Sequence, residues 1–217
     1  MLHLPHLRAA LQNGTEVLVV ALGSSSTQGA MASDPAHSYP AVLQAMLGRD
    51  LPSVHIAVLN RGVGGEDAPE ELARLRTDVI AVRPQLVIWQ LGANGAMRNV
   101  DPEEFRRMVT QGVAQLQAAR IDVILMDNQH SPKVDAAPEH GALNAILAQV
   151  AEATGAGMFS RSGLMEAWAQ EGAPSLTFVS SDGLHHNDRG YACVAGALAD
   201  AILHGLHDET RALSASR

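Results

Sequence analysis

The chain has 217 residues, 47% of them apolar and 18% charged, enough to bury one sizeable core. Its 23 acidic against 15 basic side chains give a net charge of −8, and no Lys or Arg stripe could neutralise a phosphate backbone, which argues against nucleic acid as a partner. The one cysteine, Cys193, cannot form an internal disulfide, and the longest apolar run near the start, Val17 to Leu22, is too short to span a bilayer.

The first predicted element is a strand over Glu16–Leu22. The residues ahead of it lack the basic-then-apolar order of a secretory leader, so a cytoplasmic location is expected, although a removed leader would leave the same chain. Next comes Gly23-Ser24-Ser25-Ser26-Thr27-Gln28-Gly29, a turn of small residues able to present a hydroxyl and open a helix. A second strand, Val54–Leu59, leads into Asn60-Arg61-Gly62-Val63-Gly64-Gly65. Asp67 and Pro69 then open a helix in which Leu72, Leu75 and Val79 fall at helical spacing, and Pro84 ends it. A third strand, Gln85–Leu91, precedes Gly92-Ala93-Asn94-Gly95.

Asp101 as N-cap, Pro102 at the first helical position and Glu104 as a capping-box acid start a helix with Phe105, Met108, Val109 and Leu116 on one stripe. A fourth strand, Ile121–Met126, is followed by a stretch from Asn128 to Pro138, read as an active-site loop because open sheets bind ligands at the carboxyl ends of their strands. A weaker strand is predicted at Gly157–Phe159. Finally Ser181-Asp182-Gly183-Leu184-His185-His186-Asn187-Asp188 precedes a helix marked by Tyr191, Val194, Leu198 and Ile202, with Asn187 as its cap. From about Asp208 the chain is expected to fray. The alternation of β-branched runs with helical patterns predicts one α/β domain over residues 1–217, with its core from about 15 to 205 and a parallel sheet covered on both faces.

Parallel strands bring their carboxyl ends to one rim, so the serine turn, the glycine turn, the Asn94 turn and the histidine turn can converge. Together they supply the parts of acyl transfer. A hydroxyl needs a base to take its proton, and His185 is the candidate; Asp182, three residues earlier, would hold the imidazole tautomer and stabilise the imidazolium. The Gly65 and Ser25 backbone N–H groups and the Asn94 amide would serve as the oxyanion donors.

This order of motifs resembles the SGNH (GDSL-like) hydrolase family over roughly Val17 to Ile202. The four hallmark positions fall on Ser25, Gly65, Asn94 and His185, with the D-x-x-H aspartate at Asp182. Because Ser24, Ser25 and Ser26 are consecutive, it is the alignment to G-x-S that selects Ser25. The resemblance implies a three-layer α/β/α, flavodoxin-like sheet of about five strands in the order 2-1-3-4-5, no cofactor, and a small-molecule ester as substrate. Two departures stand out: Ser24 replaces the aspartate of G-D-S, and Gly95 replaces that of G-x-N-D.

Other readings are weaker. The first turn lacks the G-x-G-x-x-G and G-x-x-x-x-G-K-[ST] patterns that cradle phosphates. A carbohydrate- or acyl-binding module on the same fold would not need nucleophile, base and oxyanion donors together. His130 and His140, with Asp127 and Asp135 nearby, match no compact metal-ligand spacing, so no metal is expected. His186 is read as a loop or pocket-lining residue, and Met97, Met126 and Met165 as acyl-pocket or core residues. Substrate-contacting residues, the natural acyl and alcohol groups and the oligomeric state are left open.

Overall fold

The computed structural model describes residues 2–14 and 16–215, with side chains given as far as residue 206. Five parallel strands, β1 (Val17–Gly23), β2 (Ile56–Gly62), β3 (Leu86–Gln90), β4 (Asp122–Met126) and β5 (Gly157–Phe159), form one sheet in the order β2-β1-β3-β4-β5. This is the predicted topology. β2 runs three residues past the predicted Leu59, because Asn60, Arg61 and Gly62 pair with Ala21, Leu22 and Gly23 at the sheet's edge, where polar residues are tolerated.

Successive strand residues point to opposite faces, and each face is covered by its own helices. Val17, Val19, Ala21, Ile88 and Ile124 pack with Leu7 of α1 (Pro5–Gln12), Leu43 and Leu47 of α3 (Tyr39–Asp50) and Tyr191, Val194 and Leu198 of α10 (Asp188–Ala215). Val20, Leu22, Val87, Trp89 and Leu125 pack on the other side. There they meet Leu75 of α4 (Ala68–Asp78), Ala96 of α5 (Ala93–Arg98), Phe105, Val109 and Leu116 of α6 (Pro102–Ala118) and Leu147 of α8 (His140–Thr154). Between β1 and Pro35 lies α2 (Ser25–Gln28); α7 (Pro132–Asp135) and α9 (Arg161–Gln170) complete the set of α-helices among the described residues.

The capping signals behave as their chemistry demands. Asp101 accepts the Glu104 N–H at 2.8 Å, Asn187 Oδ1 accepts the Gly190 N–H at 2.9 Å, and Asp67 forms a reciprocal capping box with Glu70. The α10 backbone stays helical to Ala215, past the Asp208 where fraying is predicted. Extending a formed helix needs no new nucleus, and Glu209, Arg211, Ala212 and Leu213 are good helix formers. The last two residues lie outside the described ones. Among the described residues, no helix is long and apolar enough to cross a membrane.

The chain leaves β1 outward to β2, then returns to β3 on the other side of β1. The carboxyl ends of β1 and β3 therefore border the crevice where strand order reverses, and the serine and Asn94 turns flank it.

Candidate active site

The serine turn is fixed from below by the end of β3. Gln90 Oε1 accepts the Ser24 N–H and hydroxyl, each at 3.3 Å, and the Thr27 hydroxyl at 3.2 Å. Ser24 and Ser26 are buried, whereas Ser25 is only half-buried and opens α2. Of the three consecutive serines, it is Ser25 whose hydroxyl faces the histidine turn. Its Oγ lies 2.7 Å from His185 Nε2.

His185 Nδ1 lies 2.6 Å from Asp182 Oδ2, and Asp182 Oδ1 accepts the backbone N–H groups of Leu184 and His185 at 2.9 and 3.0 Å. Partial burial pushes the Asp182 carboxyl up. The bonds from His185 and from these two N–H groups outweigh it and hold the group below the usual carboxylate range. An ionised carboxylate can only accept, so His185 carries its proton on Nδ1 and turns the Nε2 lone pair toward the Ser25 hydroxyl.

The histidine turn is itself clamped by the Asn128–Pro138 stretch, which contains the short helix α7. The Gln129 side-chain amide donates to Leu184 O at 2.8 Å and the Lys133 N–H to Gly183 O at 3.1 Å. That stretch thus holds the turn that carries His185.

The three groups expected as oxyanion donors lie on the serine, glycine and Asn94 turns. Ser25 is the first residue of α2, so its N–H lies ahead of the helical ladder. Gly65 is exposed and has a φ of +82°, a conformation that L side chains rarely adopt, with open space where a Cβ would stand. Asn94 Nδ2 donates to Glu66 O at 2.6 Å, which uses one of its two amide hydrogens.

Several residues that the sequence did not single out hold these turns together. Arg74 reaches from α4 to Glu66 at 2.6 Å, Asp78 at 2.9 Å, Arg61 O at 2.8 Å and Gly23 O at 3.2 Å, tying the ends of β1 and β2 to the glycine turn. Asn60 donates to Thr27 O at 2.8 Å and accepts the Gly62 N–H at 2.9 Å. Beneath the α4 N-terminus, Glu71 is fully buried and accepts from Trp89 Nε1 at 2.7 Å. Burial pushes its carboxyl up to about 8, against the opposing pull of Trp89 and Arg74. Arg74 pairs locally with Asp78 four residues on, but its bonds to Gly23 O and Arg61 O, like those of Gln90 to the serine turn, join groups brought near only by the sheet.

His186 lies in the loop ahead of α10, but its side chain turns inward: it is fully buried, donates from Nδ1 to Phe178 O at 3.0 Å, and is pushed down to about 3 by burial, then by Arg161. Met126 and Met165 are fully buried in the core, and Met97 packs against it. His130 bridges Asp135 at 2.9 Å and Glu166 at 3.1 Å, Asp127 accepts from Ser160 and Ser162 at 2.8 and 2.7 Å, and His140 donates to Ala137 O at 2.7 Å. Cys193 is half-buried beside Met165 and Phe178.

Residues 2–208 match the model of the Non-GDSL lipase-like family. The chain belongs to that family. A serine turn that reads Gly23-Ser24-Ser25, with no aspartate before the middle serine, is in keeping with that family. No protein of curated function matches it by sequence. Among solved structures, a two-domain esterase (CEX) active on acetylated mannans is 21% identical with a TM-score of 0.79, covering 94% of this chain and 54% of the esterase. This chain therefore spans about half the length of that protein. A lipase/acylhydrolase from Enterococcus faecalis is 22% identical with a TM-score of 0.72, covering 86% of this chain and 95% of its own. The psychrotrophic esterase EstA from Pseudoalteromonas sp. is 20% identical with a TM-score of 0.72, covering 88% of this chain and all of its own. At these identities the likeness is one of fold.

Proposed function

We propose that this Non-GDSL lipase-like chain hydrolyses short-chain acyl or acetyl esters through an acyl-enzyme on Ser25. The observation that carries the reading is the 2.7 Å contact between Ser25 Oγ and His185 Nε2, in line with the 2.6 Å contact from Nδ1 to Asp182. Ser25 Oγ attacks the ester carbonyl while its proton passes to His185 Nε2, and the carbonyl π pair moves onto oxygen. The Gly65 and Ser25 N–H groups and the remaining Asn94 amide hydrogen receive that charge. Collapse breaks the bond to the alcohol, which leaves with the proton from His185. Water then repeats the sequence on the acyl-enzyme and frees the acid and Ser25.

The rim favours a small acyl group with an aliphatic or simple alcohol. The large exposed apolar side chains among the described residues are Met31, Val63 and Leu176, and Val63 sits two residues from Gly65. The aromatic rings that could stack on a sugar are turned inward: Trp89, Tyr39, Tyr191, Phe105, Phe159 and Phe178 are buried, and Trp168 packs on Phe178 with centroids 4.5 Å apart.

The test is hydrolysis of p-nitrophenyl acetate and butyrate by the parent and by Ser25→Ala, with acetylated mannan as a parallel substrate. The reading predicts turnover of the small esters that Ser25→Ala abolishes while its circular dichroism is unchanged. Full activity in Ser25→Ala would remove the assignment. A protein that binds acyl or sugar ligands without turning them over would show no turnover of any of these substrates.

A further inference from the structure

The glycine at 95 has a structural counterpart at Asp67. A Cβ built on Gly95 would lie 2.8 Å from Asp67 Oδ2 and 3.1 Å from Oδ1, so the Asp67 carboxylate fills the space a side chain at 95 would take. Asp67 is only 3% exposed, its Oδ1 has no hydrogen-bond partner, and burial raises its pKa against the pull of the Ala68 N–H, the Arg98 charge and the Gly95 N–H. Such a buried carboxylate is costly unless the surrounding groups require it.

Its neighbours are the two halves of the oxyanion site. Asp67 directly follows Gly65 and Glu66, and its own N–H is held by Glu70 Oε2 at 3.0 Å in the capping box that starts α4. Gly95 directly follows Asn94 near the start of α5. Two bonds already run from α5 to the glycine turn: Asn94 Nδ2 to Glu66 O, and the Arg98 guanidinium to Gly65 O. Asp67 makes the return contact, from the glycine turn to the backbone of α5.

We propose that Asp67 is the positioning residue of the oxyanion site, its carboxylate entering the space left open at Gly95 and locking the start of α5 to the Gly65–Asp67 turn. It does not touch the reacting atoms. It fixes the distance between the Gly65 N–H and the Asn94 amide, so that both meet the oxyanion at once. The acid missing at position 95 is thereby restored in space from position 67. The inference rests on the acyl-transfer reading above.

The experiment is a double-mutant cycle on the full chain with p-nitrophenyl acetate. Asp67→Ala is expected to lower kcat by about 10- to 100-fold, the scale of a donor misplaced by up to ~1 Å, with KM within about twofold of the parent. Asp67→Asn, which keeps the shape and one acceptor oxygen, recovers most of that loss. Gly95→Asp alone sets two carboxylates in one cavity and is expected to be unstable or inactive. Combined with Asp67→Ala, it places a carboxylate in the same cavity from the α5 side and raises kcat above that of Asp67→Ala. Melting temperatures of all variants separate misfolding from misplacement. Parental kcat in Asp67→Ala would overturn the proposal. So would a loss in Asp67→Ala that neither Asp67→Asn nor the double variant relieves. Failure of the underlying reading shows separately, as parental hydrolysis by Ser25→Ala.

Discussion

Replacing Gly62 by alanine strikes the contact between β2 and the serine helix without touching any group that takes part in the chemistry. A Cβ at this position would stand 2.0 Å from Gln28 N, 2.5 Å from Thr27 C and 2.6 Å from Gln28 Cα, all backbone atoms of the serine turn. No flexible side chain can yield, so β2 and α2 must separate by roughly 1 Å or more to reach ordinary contact. Overpacking of this kind costs about 1–3 kcal/mol. Asn60, bonded to Thr27 O, resists the separation, and any shift of α2 is carried directly to Ser25. A displacement of ~1 Å takes Ser25 Oγ out of hydrogen-bond range of His185 and costs on the order of 100-fold in rate. Urea unfolding should therefore show a loss of about 1–3 kcal/mol, and p-nitrophenyl acetate hydrolysis a kcat lower by about 100-fold. Gly48→Ala, on an exposed face of α3 with nothing within 4 Å of the new Cβ, serves as the control and should stabilise by about 0.5–1 kcal/mol. Parental kcat and stability in Gly62→Ala would refute the argument that this contact places the nucleophile.

Further outcomes follow from the same geometry. In the folded chain Glu71 titrates at about 8 against an ordinary 4.5, so between those values the unfolded chain has released a proton that the native one keeps. Parental stability then falls as pH rises through that window. Glu71→Gln should gain on the parent by up to about 1.4 kcal/mol per pH unit there in chemical denaturation, and parallel curves would contradict the assignment. Asp182→Asn keeps the shape of the turn but favours the wrong imidazole tautomer; kcat should fall by roughly 10⁴ with folding intact, and a loss under tenfold would speak against Asp182 as the group that holds the His185 tautomer. Burial pulls the His130 pKa down, but hydrogen bonds to Asp135 and Glu166 outweigh it and raise it above the ordinary 6.5. The stabilisation from this pair of contacts is complete in acid and lost as pH rises through the raised pKa. An NMR titration should place the midpoint above that of a free imidazole and show it falling in Glu166→Gln.

The sheet was legible because its signals are local. Alternating β-branched runs, Asp101-Pro102 and the Asn187 cap each depend on residues within a few positions of one another, and the 2-1-3-4-5 order came with the family resemblance. The half-buried Ser25, His185 and Asp182 could be named because each lies in a turn directly after a strand or before a helix, with Ser25 picked from its two serine neighbours by the family's G-x-S pattern. The braces were not legible. Gln90 is 66 positions from Ser24, and Arg74 is 51 from the Gly23 carbonyl, so their roles exist only once the parallel strands are side by side. The burial of the loop residue His186 was not legible for a related reason: its neighbour His185 faces Ser25, but the turn directs His186 inward, where Phe178 O accepts its Nδ1–H. The two motif departures likewise gain meaning only in three dimensions, Ser24 as a partner of Gln90 and Gly95 as room for Asp67.

The most direct test of the account is to treat the protein with a fluorophosphonate and locate the adduct by peptide mass spectrometry. Acyl-transfer geometry at the β1 rim predicts a single phosphonyl group on Ser25, absent in Ser25→Ala and formed far more slowly in His185→Ala. A protein that stays unlabelled, or that carries the group on another serine at the parental rate in Ser25→Ala, would contradict it.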